Sequence, residues 1–194
     1  MKTPLEQLLS LLQQRGHERY TGEPVTHLQH ALQAATLAER AGASDALVTA
    51  ALLHDIGHLW HGLPGTPSAA GVDDHHEAVA ADVLSRCFGD DVVQPVALHV
   101  AAKRRLCTNG AYLRVLTDDS LRSLALQGGP MSPAEGQAFD ARPFAQDALR
   151  LRHWDEAAKR PGMVTEPLAH FWPRVQASLC LPGMPDRSDL RGTR

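Results

Sequence analysis

The stretch Leu52-Leu53-His54-Asp55-Ile56-Gly57-His58 places a histidine and an aspartate side by side within a run of otherwise apolar residues. Apolar residues on every side of a segment indicate a helix that is buried in the core of a protein. A buried carboxylate must be paired or must coordinate a metal, because an isolated buried charge is strongly destabilising. The pair therefore predicts a metal site inside a bundle of helices.

The length and composition favour one domain. A chain of 194 residues can build a single sizeable core, which we assign to residues 1–181. Residues 182–194 are polar and contain Pro and Gly, so we expect a flexible C-terminal tail. Nineteen Lys and Arg against 22 Asp and Glu give a formal net charge of −3, which argues against a nucleic-acid or membrane partner.

The cysteines indicate a reducing compartment. The three cysteines are scattered and lack any Cys-x-x-Cys spacing, which argues against a disulfide framework or a thiolate metal site. No apolar stretch approaches the roughly 20 residues that a membrane-spanning helix needs, and no signal-peptide pattern opens the chain. These features predict a cytoplasmic protein.

Apolar residues recur at helical spacing along most of the chain, and no segment shows the alternation of a half-buried strand. The predicted fold class is therefore all-α, a single-domain helical bundle with its metal core at about residues 26–160. The predicted helices cover about residues 26–42, 44–60, 73–89, 91–106, 113–116, 120–126, 143–159 and 168–179.

Eleven histidines make this chain unusual, and several occur on helices that can pack around the His-Asp pair. On one continuous helix, His54 and His58 would lie one turn apart. Nitrogen and oxygen donors without sulfur suit iron or manganese at least as well as zinc, and two ions sharing a carboxylate would use six donors. Spacing alone leaves the choice between His75 and His76 open. The candidate metal ligands are His30, His54, Asp55, His76 (or His75), His99 and Asp155.

These residues resemble the pattern of the HD-domain metalloproteins, in which a His, a His-Asp pair and a distant Asp are joined by further histidines in the two-metal members. Blocks such as Leu28-Gln29-His30-Ala31-Leu32-Gln33 and Arg152-His153-Trp154-Asp155 narrow the resemblance to the HD-domain phosphonate oxygenases. It implies two iron ions in a mixed-valent Fe(II)/Fe(III) pair and favours His76 over His75. In that family pattern, His30, His54 and Asp155 hold one iron, His76 and His99 hold the other, and Asp55 bridges them.

The remaining candidate residues concern an anionic substrate. Lys103 follows His99 by four residues, which places an ammonium group on the helix face of a proposed ligand. His58, Ser120, Ser123 and Gln127 are further candidate phosphonate contacts. Tyr20 and Glu23 precede the first metal helix, where they could form a small lid, with Glu23 facing a substrate ammonium group. The predicted catalytic residues are Asp55, His58, Lys103, Tyr20 and Glu23.

The resemblance implies that O2 is used to cut the carbon–phosphorus bond of a small 1-hydroxyphosphonate, which releases phosphate and a carboxylate. The expected substrate is 2-amino-1-hydroxyethylphosphonate, which would give glycine, or its trimethylated form, which would give glycine betaine. A quaternary ammonium group usually recruits several aromatic rings. Because only 5% of the residues are aromatic, the sequence favours the primary amine.

Three other functions fit parts of the sequence. An HD phosphohydrolase would use the same metal ligands on a nucleotide or another phosphate ester without a redox change. A non-catalytic HD domain would sense a ligand, but the interaction modules or coiled segments expected of it are not seen in the sequence. An enzyme resembling myo-inositol oxygenase would not need the anion site predicted around Lys103.

Overall fold

The computed structural model describes residues 3–20, 22–63 and 65–180, and these residues contain helices but no β-strand. The predicted all-α fold class is thus confirmed, while the predicted tail at residues 182–194 lies outside the described residues. The α-helices are α1 (Pro4–Arg15), α2 (His27–Arg40), α3 (Asp45–Leu53), α4 (Ile56–His61), α5 (His76–Leu84), α6 (Asp90–Leu106), α7 (Gly110–Leu113), α8 (Asp118–Leu126), α9 (Pro133–Asp140), α10 (Ala145–Ala157) and α11 (Leu168–Ala177), and a short 3-10 helix covers Pro67–Ala70.

Helix α3 lies at the centre of the bundle. All of its residues from Ala46 to Leu53 are buried, and it packs against α2, α6, α10 and α11. A helix that is apolar on every side is stable only when other elements surround it. Helix α3 is thus the central helix of the bundle, and the His-Asp pair follows at its C-terminal end. None of the described helices combines the length and the apolar character that would let it cross a bilayer.

The prediction of one continuous helix over residues 44–60 was wrong, because the chain breaks at the His-Asp pair. Helix α3 ends at Leu53, α4 begins at Ile56, and Asp55 has φ −100° and ψ 13°. The His54 ring contacts the Ala51 carbonyl through Nδ1 at 2.9 Å, an acceptor that a continuous helix would offer to the Asp55 amide. His58 consequently lies on α4, whereas His54 follows the end of α3.

Two helices were not predicted, α1 and α9, although both carry a recognisable start signal. Each begins with a capping box, formed by Thr3 with Glu6 and by Ser132 with Glu135, and each has Pro in its first turn. Helix α7 also begins earlier than the predicted 113–116 segment. Both capping motifs were present in the sequence, and in α1 Leu5, Leu8 and Leu12 also recur at helical spacing.

Gly57 is required where α4 approaches α5. A Cβ atom built on Gly57 would lie 2.1 Å from the carbonyl oxygen of His76 and 2.8 Å from its carbonyl carbon. The obstructing atoms belong to the backbone, so they cannot move aside as a flexible side chain would. The glycine of the His-Asp-Ile-Gly-His motif thus lets α4 hold the start of α5 beside Asp55.

We predict that Gly57→Ala lowers the free energy of unfolding by about 1–3 kcal/mol, the usual cost of overpacking a tight contact. The shift of the α5 backbone should also reduce the amount of metal that copurifies. Chemical denaturation and elemental analysis would measure these effects. Gly110→Ala is the matched control, because among the described residues only an Arg114 side-chain atom, 3.9 Å away, lies within 4 Å of its added Cβ. Equal stabilities for the two variants would contradict this role of Gly57.

Candidate metal centre

Four donors from three parts of the bundle form the first group. His30 comes from α2, His54 and Asp55 from the break between α3 and α4, and Asp155 from α10. His30 Nε2 lies 3.2 Å from His54 Nε2 and 3.4 Å from Asp55 Oδ2. It also lies 3.4 Å from Asp155 Oδ1. The ligand atoms of all four residues lie within 4.8 Å of one another.

A second group forms on the other oxygen of Asp55. His76 Nε2 and His99 Nε2 are 3.1 Å apart, and each lies 3.6 Å from Asp55 Oδ1. His76 is the first residue of α5 and His99 lies in the middle of α6. Because the first group uses Oδ2, the Asp55 carboxylate belongs to both groups with one oxygen each.

The structure brings His76 to the centre, whereas the His75 side chain is 70% exposed. His75 adopts a left-handed backbone conformation with φ 48° immediately before α5. This turn starts the helix so that His76 is buried beside His99. The chain direction at the start of α5 therefore brings His76, and not His75, to the donor group.

Each of the four histidine rings is oriented by a second contact through Nδ1. The partner atoms are backbone carbonyls for three rings and a carboxylate for the fourth. A ring that donates from Nδ1 presents the lone pair of Nε2 to the centre, which is the tautomer that a metal requires. The pairs are His30 with Ala158 O at 2.9 Å, His54 with Ala51 O at 2.9 Å, His99 with Val96 O at 2.7 Å and His76 with Asp74 Oδ1 at 2.9 Å.

The spacing of the donors fits a metal ion. Ligands about 2.1 Å from one ion lie about 3.0 Å apart at a right angle and about 3.4 Å apart at a tetrahedral angle. A proton bridges only two atoms, whereas each group brings three or more lone-pair donors together. Asp155 Oδ1 is buried and has no hydrogen-bond partner within the described part of the chain. A metal cation satisfies all of these atoms together.

The charges of the site favour cation binding. Burial opposes ionisation of Asp55, but the neighbouring His54, His30 and His58 outweigh it and hold the pKa of Asp55 well below its usual value. Burial likewise lowers the pKa of His30, yet the neighbouring carboxylates of Asp155 and Asp55 raise it to about 9. The carboxylates thus attract positive charge, and a metal ion would displace the protons that the rings otherwise hold.

A cavity adjoins this centre. Its wall contains Asp55, His76, His99 and Asp155 from the two donor groups. The other lining residues include most of the candidate substrate residues, which come mainly from α4, α6 and α8. The structure brings to the cavity Tyr20, His58, Lys103, Ser120, Ser123 and Gln127.

Lys103 is buried next to this cavity, where its ammonium group donates to Ser123 Oγ at 2.8 Å. Burial, followed by the charge of Arg152, lowers the pKa of Lys103 to about 7. A buried amine with this pKa gains its proton when an anion binds beside it. Gln127 also faces the cavity, and its Oε1 atom is buried without a hydrogen-bond partner in the described residues.

Tyr20 and Glu23 are placed differently from each other. Tyr20 donates its hydroxyl to Asp55 Oδ2 at 2.6 Å and stacks on the His30 ring with centroids 4.2 Å apart. Glu23 does not line the cavity. Its Oε1 accepts from Thr117 Oγ1 at 2.5 Å and lies 3.4 Å from the Lys159 ammonium. The structure therefore brings Tyr20, but not Glu23, to the predicted site.

Three residues around this cavity were missed by the sequence reasoning. Asp74 lies 2.7 Å from His58 Nδ1 and also contacts His76. Arg152, one helical turn before Asp155, binds Asp155 Oδ2, and Lys159 lines the cavity one turn after it. Arg152 and Lys159 lie three residues before and four residues after the predicted ligand Asp155, and Asp74 lies two residues before His76; these positions were the available signal.

A family profile described as the HD domain matches residues 27–141, which include five of the six donors. The chain belongs to the HD-domain family. The sixth donor of this HD domain, Asp155, lies on α10 beyond the matched residues.

Similar proteins with names narrow the assignment within the HD-domain family. A Leisingera caerulea protein, 1-hydroxy-2-(trimethylamino)ethyl phosphonate dioxygenase (glycine-betaine-forming), is 41% identical over 167 residues, 86% of this chain and 85% of its own. The hydroxymethylphosphonate dioxygenase of Gimesia maris is 42% identical over 182 residues, 92% of this chain and 90% of its own. An uncharacterised protein of Acanthamoeba polyphaga mimivirus is 33% identical over 167 residues, 84% and 76% of the two chains. The predicted membership of the HD-domain phosphonate oxygenases is confirmed.

We predict that Asp55→Ala removes most of the bound metal, because it deletes one oxygen from each donor group. His99→Ala serves as the comparison and should remove less metal than Asp55→Ala, since His99 belongs only to the second group. Elemental analysis of both variants, with circular dichroism to check folding, would measure the effect. Metal retained by folded Asp55→Ala at the wild-type ratio would contradict the shared role of this carboxylate.

Proposed function

We propose that this protein is a di-iron oxygenase that uses O2 to cleave the carbon–phosphorus bond of a small 1-hydroxyphosphonate, releasing phosphate and a carboxylate. The observation that carries the proposal is one cavity bounded by two donor groups that share Asp55 and by the buried cations Lys103 and Arg152. The names of two relatives, both phosphonate dioxygenases, support the same reaction type.

The donor set suits two iron ions. His30, His54 and Asp155 would hold one ion and His76 and His99 the other, with one Asp55 oxygen for each. Histidine nitrogens and carboxylate oxygens without sulfur are common ligands of non-haem iron. Bound iron would supply the redox chemistry that O2 needs in order to react with the substrate.

The protein side chains would orient the phosphonate. Lys103 and Ser123 form a charged and polar pair at the cavity wall, and Arg152 adds a guanidinium group beside Asp155. Charge-assisted hydrogen bonds to the phosphonate oxygens would fix that end of the substrate. The hydroxyl-bearing carbon would then lie towards Asp55 and the two donor groups.

Tyr20 and His58 line the same cavity and lie against the rings of two donor histidines. Tyr20 lies on the His30 ring, and His58 stacks on the His76 ring with centroids 4.0 Å apart. Because His58 Nδ1 faces Asp74, its Nε2 remains for a contact in the cavity. These rings would exclude water, which strengthens the electrostatic contacts within the site.

The substrate class includes 2-amino-1-hydroxyethylphosphonate and its trimethylated form. The name of the Leisingera caerulea relative contains the trimethylamino group, and that of the Gimesia maris relative contains no amine. In the described structure Glu23 is already bound to Thr117 and Lys159. The preference for a primary amine therefore stays a prediction from the low aromatic content.

The decisive experiment incubates the iron-loaded protein with 2-amino-1-hydroxyethylphosphonate, its trimethylated form or hydroxymethylphosphonate, with and without O2. We expect phosphate release that depends on O2 and matches O2 consumption for at least one compound. The carboxylate product would be identified by mass spectrometry. Phosphate release from phosphate esters without O2 would instead support an HD phosphohydrolase.

We predict that Lys103→Met raises KM for the phosphonate by about 10- to 100-fold, the usual effect of losing a hydrogen bond to a charged group. Steady-state kinetics at saturating O2 would measure it. Lys103→Arg keeps the positive charge and should recover part of the affinity. An unchanged KM in Lys103→Met would place the anion contact elsewhere.

The pKa of Lys103, lowered to about 7, predicts how KM for the phosphonate depends on pH. An amine is cationic below its pKa, so the free enzyme should lose the positive charge at this position as the pH rises from about 6 to about 9. KM should rise over this range in the wild type relative to Lys103→Arg, whose guanidinium stays charged. Ionisation of the substrate affects both proteins equally, and parallel pH profiles would therefore contradict the role of Lys103.

A further inference from the structure

Glu156 lies directly behind two of the cations that line the cavity, although it is not part of the cavity wall. Arg152 Nη2 donates to Glu156 Oε2 at 2.5 Å, and Lys159 Nζ lies 3.2 Å from the same oxygen. The side chains of Arg152, Lys159 and Glu156 are 6%, 7% and 8% exposed. One buried carboxylate oxygen is therefore shared by two cavity cations.

Glu156 also holds the start of α8. The Thr117 amide donates to Glu156 Oε1 at 3.3 Å, and Ser120 Oγ donates to Oε2 at 3.2 Å. Thr117 caps this helix, which carries Ser120 and Ser123 into the cavity. The same carboxylate thus connects the cations on α10 and beyond with the hydroxyl groups on α8.

The sharing of one negative charge limits the positive potential of the cavity. Arg152 is balanced by Asp155 and Glu156, and Lys159 by Glu156 and Glu23. If Asp155 also neutralised a metal ion, Glu156 would be the main counter-charge left to Arg152. Charges at these distances interact strongly in a buried site, so loss of Glu156 would free both cations to attract an anion.

Resting on the proposed function, we propose that Glu156 is a positioning residue that keeps the affinity of the cavity for phosphate low enough for the product to leave. It would do so by forming ion pairs with Arg152 and Lys159 from outside the cavity wall. The substrate phosphonate has two additional groups that the site can bind, its carbon-bound hydroxyl and its carbon chain. Phosphate has neither, so its retention would depend more strongly on the cations.

The test compares Glu156→Gln with the wild type in calorimetric titrations of the metal-loaded proteins with inorganic phosphate. Gln keeps the size of the side chain and removes its charge. We expect phosphate to bind about tenfold more tightly, the equivalent of one pKa unit of interaction. With an active phosphonate, kcat and KM should both fall, because product release becomes slower.

Two matched variants make the result specific. Glu135→Gln makes the same charge change at an exposed residue that pairs with Arg104, and phosphate affinity should not change. Lys159→Gln removes one of the restrained cations but leaves Glu156 charged, so phosphate should bind more weakly. This variant also tests the inference if Glu156→Gln does not fold.

Unchanged or weaker phosphate binding by folded Glu156→Gln would overturn the inference, since a purely structural residue would only loosen the cavity. Unchanged binding by Lys159→Gln would overturn it as well. The proposed function fails separately, if none of the phosphonates is oxidised. The phosphate titrations would still decide whether Glu156 restrains the cavity cations.

Discussion

The carboxylate of Asp55 is the constraint around which this protein is built. It is buried, it contacts four histidine rings with one oxygen or the other, and it accepts a hydrogen bond from Tyr20. Such a group is stable only if cations and donors surround it completely. Helices α2, α5, α6 and α10 must therefore converge on the point where α3 ends. The packing that forms the core thus also forms the candidate metal centre.

The apolar core supplies the rigidity that this convergence needs. The His-Asp pair follows a fully buried helix, and Gly57 brings the backbone of α5 against α4. Outer contacts from the carbonyls of Ala158 and Val96 then fix the rings of His30 and His99. These contacts orient the donor atoms towards one another, and an ion bound by them would in turn stabilise the bundle.

The helical class could be predicted from the sequence, and the six predicted donors lie together in the structure. The signal from the residues was the His-Asp pair, because a carboxylate in a buried apolar run is stable only when it is paired or coordinated, and the resemblance to the HD-domain pattern implied the complete set. The break at Asp55 could not be predicted from periodicity, since both flanking segments are apolar helices. Arg152, Glu156 and Lys159 were missed for a different reason. Charges three and four residues apart normally mark a solvated helix face, and only the packing of α8 and Glu23 against α10 shows that these are buried.

The HD donor set by itself does not fix the reaction, because a hydrolase and an oxygenase can use the same ligands. The difference must come from the residues that hold the substrate against the metals. Here Lys103 has a lowered pKa and a serine hydroxyl as its hydrogen-bond partner, so its charge depends on the anion that it meets. Arg152, by contrast, is held permanently by two carboxylates. One responsive cation and one restrained cation would let the cavity bind a charged phosphonate firmly and still release the phosphate formed from it.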